Sequence, residues 1–321
     1  MKRFKNILFV TNPQSDNKAS FLRAVNLAAH NQARLTIIDV PEDIPTQKRF
    51  YMAGDAFARI LNSALKYHRT RLKELTATCQ HEIKIEEKVV PGTPFLEIIR
   101  AVLRDKYDLV IKTPQPQVGM KKLLFGSTDM HLLRKCPCPV WMIKSGQLPP
   151  YRRILAAVHL ESSNNNTRRD ELNFKILEMA SSLALSEPGE LHVVNAWQAV
   201  GEGIVAMNLD LHSVELDTWL DEQRTAFEDG LKVFMTALPK ILGQKGADYI
   251  APQVHLIRGS AEIAIPKLVK EKQIDLIVMG TVARTGLAGF FMGNIAESVL
   301  NQINCSVLAL KPSGFCSPVT V

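Results

Sequence analysis

The sequence predicts an α/β protein built from two doubly wound parallel-sheet domains in tandem. Three observations support this prediction. The chain has 321 residues, which is enough for two domains of ordinary size. Its second half repeats a pattern of glycines and apolar residues that is present in its first half. Within each copy, short apolar segments alternate with longer segments of helical periodicity, as expected for a parallel sheet covered by helices.

The internal repeat is clearest between residues 88–144 and 255–311, which align without a gap at a constant offset of 167. Residues 5–12 and 152–159 also correspond, at an offset of 147, so the second copy carries an insertion before the shared back half. Glycines coincide in the two copies as Gly92 with Gly259 and Gly126 with Gly293. Glycines are common in turns, so their coincidence in the aligned copies predicts that both halves have the same fold.

The first copy opens with a short apolar strand at residues 7–11 and a helix with Phe21, Val25 and Ala28 on one face. The later elements alternate, with strands predicted at 35–40, 83–90, 108–111 and 140–143, and helices at 55–78, 94–105 and from 127 onward. The second copy repeats the order, with strands at 154–158, 191–196, 253–257, 274–279 and 307–310 and a long helix around 214–242. Several of these strands are apolar throughout, which indicates a sheet buried on both faces.

Residues 145–151 contain Pro149-Pro150 and are interpreted as the linker between the copies. The predicted domains are therefore 1–147 and 148–313, followed by a C-terminal tail at 314–321.

Composition limits the possible functions. The net charge of +7 and the pI of about 9.1 are compatible with nucleic acid, but the charges are scattered and no nucleic-acid-binding motif accompanies them. The apolar runs are strand-sized, and no export signal is recognised, so we expect a cytoplasmic protein without a membrane partner. The cysteine pair at Cys136 and Cys138 has no second pair to complete a zinc site, and buried thiols are expected there instead.

The segment that leaves the fourth strand of the second copy is the candidate ligand site, because ligands of doubly wound sheets bind at the carboxyl ends of the strands. Gly280 would allow close approach of a ligand, and Gly293 and Asn294 stand at a predicted helix start, where free N–H groups and the helix dipole attract anions. Arg284 could add a positive charge. The alternative is turn chemistry alone, with Asn294 as a simple N-cap.

This segment resembles the motif of ATP-binding universal stress proteins, which reads Gly, two residues, Gly, nine residues, Gly, then Ser or Thr. The spacing is kept here, but Ala283 replaces one glycine and Asn294 replaces the hydroxyl residue. Residues 280–297 and 131–144 also look like the two domain ends of the E-type tandem members. The resemblance implies adenine-nucleotide-alpha-hydrolase-like domains and a non-catalytic stress-response role, with ATP or AMP as a ligand in the second domain.

The first copy departs further from the motif. Thr113 and Pro116 stand where the two early glycines are expected, and only Gly126 and Ser127 remain. Proline has no N–H to offer to a phosphate, so nucleotide is not expected in this half. The family also places an Asp near the nucleotide at the end of the first strand, where this chain has Asn12 and His159. We therefore include His159 among the ligand-contacting candidates, the alternative being a solvent-facing side chain.

No nucleophile elbow, phosphate-binding P-loop or zinc-binding helix motif is found, so no catalytic residue is assigned. Two alternatives stay open, a weak ATPase and an interaction or chaperone-like module with vestigial sites or an apolar ligand.

The final strands of both copies, Val140–Ile143 and Val307–Leu310, are apolar and would be aggregation-prone as exposed sheet edges. We expect each to cover the other in an intramolecular pseudo-dimer, with Trp141 and Leu308 near the seam, and isolated halves to self-associate. A homodimer of the whole chain is left open.

Overall fold

The computed structural model describes residues 4–11, 15–42, 54–77, 83–115, 124–161, 167–199, 213–281 and 292–320. The first half contains the strands β1 Asn6–Val10, β2 Arg34–Asp39, β3 Ile85–Val89, β4 Leu109–Lys112 and β5 Val140–Met142. Its helices are α1 Lys18–Asn31, α2 Gly54–Ala77, α3 Pro94–Asp105 and α4 Ser127–Lys135. Strand and helix alternate in the predicted order.

The second half repeats this order with additional helical structure. Its strands are β6 Arg153–Val158, β7 Glu190–Trp197, β8 Gln253–Arg258, β9 Leu276–Gly280 and β10 Ser306–Leu310. Its helices are α5 Thr167–Ser186, α6 Ser213–Met235, α7 Leu238–Leu242, α8 Gln244–Ile250, α9 Ala261–Glu271 and α10 Asn294–Leu300.

All ten strands that the structure describes form one sheet, in the order β3-β2-β1-β4-β5-β10-β9-β6-β7-β8. Neighbouring strands are parallel except at the centre, where β5 and β10 are antiparallel and Trp141 lies opposite Leu308. The two halves therefore join through their final strands, in the pairing that the sequence predicts. Helices cover both faces, and each of the two large apolar clusters contains residues of both halves. The core thus runs without interruption across the seam.

The glycines that define the repeat occupy equivalent places in the two halves. Gly92 and Gly259 follow the third strand of each half with positive φ angles of 153° and 126°. Gly126 and Gly293 are the N-caps of α4 and α10. The predicted correspondence of the halves is confirmed.

The long helix predicted around 214–242 is wrong in its extent. The structure ends α6 at Met235 and continues with two short helices. Pro239 lies at the start of α7, where a missing N–H is tolerated, and Gly243 separates the two short helices with a φ of 74°. Apolar periodicity continues across the break between Met235 and Leu238, which is why it predicted a single helix.

On one face of the sheet, the halves meet at Arg23 of α1. Its guanidinium pairs with Glu187, which follows α5, and lies 3.9 Å from the ring centre of Tyr151. Glu187 also accepts a hydrogen bond of 2.6 Å from the backbone N–H of Tyr151. Both Arg23 and Tyr151 are buried, so this charge-assisted contact connects the halves in a region that excludes water.

On the opposite face, the buried Lys311 directly follows β10 and reaches the end of α4 in the first half. Its ammonium donates to the carbonyl oxygens of Leu133 and Arg134, the latter at 3.2 Å, and to Thr281 Oγ1 at 2.5 Å. The side chain of Arg134 pairs with Glu297 of α10. The last carbonyl groups of a helix lack intrahelical partners and carry partial negative charge, so they suit a buried amine.

The predicted tail does not stand apart from the fold. Val319 packs against an apolar cluster that includes α3 residues of the first half. Thr320 O accepts a hydrogen bond of 3.4 Å from Arg100 Nε in α3. The tail therefore crosses from the second half to the first. Among the described helices, none has the length and apolar character needed to cross a membrane.

Candidate functional site at the strand ends

Each half has a point where the strand order reverses. In the first half β1 lies beside β4, and in the second half β6 lies beside β9. The helices after β1 and β4 pack on opposite faces of the sheet, as do those after β6 and β9. Two adjacent strands whose connections diverge leave a crevice at their carboxyl ends, the usual ligand position in this type of sheet.

In the second half, the residues predicted to bind a ligand lie at this crevice as far as they are described. Gly280 is the last residue of β9, Gly293 is the N-cap of α10 and Asn294 is the first residue of that helix. The backbone N–H of Gly293 donates to the carbonyl of Thr281 at 3.2 Å, so the end of β9 and the start of α10 are in direct contact. Ala283 and Arg284, two further predicted site residues, lie outside the described residues.

The alternative role of Asn294, that of a simple N-cap, is wrong, since Gly293 occupies that position and Asn294 is the first residue of the helix. Gly280 also has a packing role that the sequence does not reveal. A Cβ at this position would lie 2.8 Å from Leu172 Cδ2 and 4.0 Å from Ile176 Cδ1. Both leucine and isoleucine belong to α5, so the glycine allows this helix to pack closely over the end of β9.

The equivalent position in the first half is already filled by a carboxylate of the protein itself. Asp129 Oδ2 accepts hydrogen bonds from the backbone N–H of Gly126 at 3.0 Å and of Gln115 at 2.9 Å. Asp129 Oδ1 lies 2.7 Å from Lys112 Nζ. Both charged side chains are buried, with exposed fractions of 4% for Lys112 and 0% for Asp129. Two N–H donors and an ammonium therefore converge on one internal anion.

A cavity of about 340 Å³ adjoins this pair at the carboxyl ends of β1, β2 and β4. Its lining includes Val10, Thr11, Val40, Ile98, Lys112 and Thr128. His68 of α2 also lines the cavity, and its Nδ1 is held 2.7 Å from Asp39 Oδ2 at the end of β2. The hydrogen bond to a buried carboxylate fixes the orientation of the imidazole ring.

Comparison with protein-family models matches the universal stress protein family twice, over residues 3–144 and 150–311. Together the two matches cover nearly the whole chain. The chain belongs to the universal stress protein family.

Similar family members match this chain over nearly its whole length, and therefore over both halves. A universal stress protein E homolog of Haemophilus influenzae is 30% identical over 319 residues, covering 97% of this chain and 98% of the relative. Universal stress protein E of Escherichia coli K12 is 28% identical over 327 residues, covering 99% and 98%.

Among solved structures, a functionally unknown protein of Pseudomonas aeruginosa PAO1 matches with a TM-score of 0.66 and 24% identity, covering 97% of this chain and 94% of that one. A universal stress protein of Archaeoglobus fulgidus matches with a TM-score of 0.58 and 18% identity, covering 95% and 98%. These matches support the predicted fold.

His159, one of the predicted ligand-contacting residues, directly follows β6 at its carboxyl end. Its side chain is 61% exposed, and its Nε2 lies 3.6 Å from Glu161 Oε1. Asn173 binds its backbone instead, accepting from His159 N–H at 3.0 Å and donating to His159 O at 2.8 Å. The buried Asn195 accepts a hydrogen bond from the next N–H, that of Leu160, at 3.1 Å. The two asparagines, which sequence reasoning missed, hold the turn at the end of β6.

Sequence reasoning also missed Asp129, although a local signal was present. Asp129 is three residues after the N-cap Gly126, the position from which an acidic side chain commonly reaches back to the N-cap N–H. Metal-binding clusters of three or more His, Cys, Asp or Glu side chains are not found in the part of the chain that the structure describes.

Proposed function

We propose that this universal stress protein is a non-catalytic, cytoplasmic stress-response protein that binds an adenine nucleotide, ATP or AMP, in its second half. The observation that carries the proposal is the hydrogen bond from the N–H of Gly293 to the carbonyl of Thr281. It holds the start of α10 at the carboxyl end of β9, beside the crevice between β6 and β9. The family motif spacing at Gly280 and Gly293 supports the same position. Ligands of doubly wound sheets bind at this edge.

The difference between the halves supports the assignment to the second half. The repeat aligns Lys112 with Met279 and Asp129 with Ala296, so the buried ion pair of the first half has no counterpart at these positions. A methionine and an alanine place no carboxylate against the loop end. A phosphate there would therefore not compete with an internal anion from this position.

The non-catalytic part of the proposal rests on the sequence, in which no nucleophile elbow, phosphate-binding P-loop or zinc-binding helix motif is found. The His159 side chain, which directly follows β6, is 61% exposed and therefore lies in contact with solvent. We therefore propose binding without hydrolysis.

Calorimetric titration of the full chain with ATP and with AMP tests the site. Asn294→Asp places a negative charge on the first helical residue and should weaken nucleotide binding by about tenfold or more through charge repulsion. Ser127 is the equivalent residue of α4, so Ser127→Asp is the matched control and should leave the affinity unchanged. Equal effects of the two changes would contradict the assignment to the second half.

Two further measurements separate the alternatives. Phosphate release from ATP at a steady rate, lost in Asn294→Asp, would replace the proposal with a weak ATPase. Failure of ATP and AMP to raise the melting temperature would favour an interaction or chaperone-like module, because a ligand that binds only the folded state must stabilise it. Fractionation of cells that express the native protein tests the compartment.

A further inference from the structure

The cavity at the carboxyl ends of β1, β2 and β4 is the starting point, since it lies in the half for which the sequence predicts no nucleotide. Its volume of about 340 Å³ is within the range of small-molecule sites. Its walls combine the apolar residues Val10, Val40 and Ile98 with the polar residues Thr11 and Thr128. Such a mixture suits a molecule with both apolar and hydrogen-bonding surface.

The charged groups at the cavity are internally neutralised. Lys112 faces Asp129 at 2.7 Å, and His68 faces Asp39 at 2.7 Å. Glu42, also in the lining, is exposed and negatively charged. Among the described lining residues, the ammonium of Lys112 and the imidazole of His68 thus each have a carboxylate partner. An anionic ligand would therefore meet no unmatched positive charge from them, but it would meet the field of Glu42.

Asp129 occupies the place where an anion would otherwise be held. Its carboxylate accepts hydrogen bonds from the N–H groups of Gly126 and Gln115 and forms an ion pair with the ammonium of Lys112. Backbone N–H groups at a helix start together with a lysine are the donors that proteins use for phosphate. Because Asp129 is fully buried, these donors are not open to a second anion without its displacement.

We propose that the Asp129 carboxylate is an internal substitute for a ligand phosphate, and that the adjoining cavity binds an uncharged polar molecule of nucleoside size. The first half would then discriminate against the phosphorylated form of a ligand, whatever the second half binds. This site is separate from the one at Gly293, and its test is independent of nucleotide binding there.

The experiment uses NMR of the full chain with labelled glycine amides and isoleucine methyl groups. The Ile98 methyl reports on the cavity, the Gly126 amide on the anion position, and the Gly293 amide on the second half. In the wild-type protein, adenosine should shift the Ile98 methyl signal, whereas AMP should do so with affinity lower by about tenfold or more. Inorganic phosphate should leave the Gly126 amide unchanged.

Removing the internal anion should create a phosphate site. In Asp129→Ala, inorganic phosphate should shift the Gly126 amide, because two N–H groups and the Lys112 ammonium are released. The double variant Lys112→Met, Asp129→Ala copies Met279 and Ala296 of the second half and serves as the control. It lacks the ammonium, so its phosphate affinity should be lower than that of Asp129→Ala by about tenfold or more.

Three results would overturn the proposal. The first is that AMP shifts the Ile98 methyl signal at the same concentrations as adenosine does. The second is that millimolar adenosine does not shift that signal. The third is that Asp129→Ala folds but its Gly126 amide signal does not change when phosphate is added. The comparison of adenosine with AMP needs no variant, so it decides the proposal even if Asp129→Ala does not fold. If AMP does not shift the Gly293 amide signal, this result would contradict the proposed function of the second half but not this inference.

Discussion

The buried amine of Lys311 should make the stability of the protein depend on pH in a defined direction. Burial lowers the pKa of Lys311 from 10.5 to about 7, and the opposing influence of Cys136 and Cys138 is weaker. In the unfolded chain, where the side chain is in water, the ordinary pKa is restored. Between about pH 7 and pH 10, the unfolded chain therefore binds more protons at this position than the folded protein does.

The sign and the size of the effect follow from this difference. Stability rises with pH wherever the unfolded state holds the extra proton, by at most about 1.4 kcal/mol per pH unit for one group. With a folded pKa of about 7, Lys311 should add about 2 kcal/mol to the free energy of unfolding between pH 7 and pH 9. Well below pH 7, both states are protonated and the contribution is constant.

Urea unfolding of the wild-type protein and of Lys311→Met, measured at several pH values from 6 to 9, tests this prediction. The methionine cannot titrate, so the rise in the free energy of unfolding between pH 7 and pH 9 should be smaller in the variant by about 2 kcal/mol. Lys144→Met is the matched control, because Lys144 is the equivalent residue of the first half and its exposed amine donates to Asn304 O at 3.1 Å. Parallel pH profiles for wild type and Lys311→Met would refute the reasoning.

Two further predictions concern packing and thiol access. Gly126→Ala should destabilise the protein by about 1–3 kcal/mol, since its Cβ would lie 2.8 Å from a backbone carbonyl oxygen, whereas Gly280→Ala should cost less than about 1 kcal/mol because the end of a leucine side chain can move aside. Urea unfolding compares them, and an equal or reversed order would contradict the packing argument. Cys316 is exposed, whereas burial raises the pKa of the Cys305 thiol to about 12. Site-resolved mass spectrometry of the alkylated native protein should find Cys316 labelled about a hundredfold faster or more, and similar rates would show that Cys305 is accessible.

The features that the sequence predicts well depend on local patterns or on the repeat. The helix predicted at 94–105 begins and ends as α3 does, because Pro94 favours a first helical turn and the apolar periodicity is strong. The pairing of Trp141 with Leu308 follows from two apolar strands that each need a partner. Neither inference requires knowledge of contacts between distant side chains.

The features that the sequence does not reveal depend on such contacts. Lys144 and Lys311 align in the repeat, yet only Lys311 is buried, because the end of α4 lies over it. In the sequence, Asp129 is an ordinary acidic residue in the first turn of a helix. Its contacts with Gln115 and Lys112 are apparent only in the folded structure. The predicted site residues Ala283 and Arg284 lie outside the described residues, so their part in binding stays a prediction.

Joining two copies of a domain in one chain removes a restriction that a symmetric dimer imposes. In a homodimer, every substitution is present in both subunits, so an internal carboxylate in one anion position would also fill the other. Here the halves carry Asp129 at one position and Ala296 at its equivalent, so the charge of each crevice can be set separately. The same holds at the seam, where Lys311 is buried while Lys144 remains at the surface. Because burying an amine has a desolvation cost, a fused chain incurs that cost once where a symmetric pair would incur it twice.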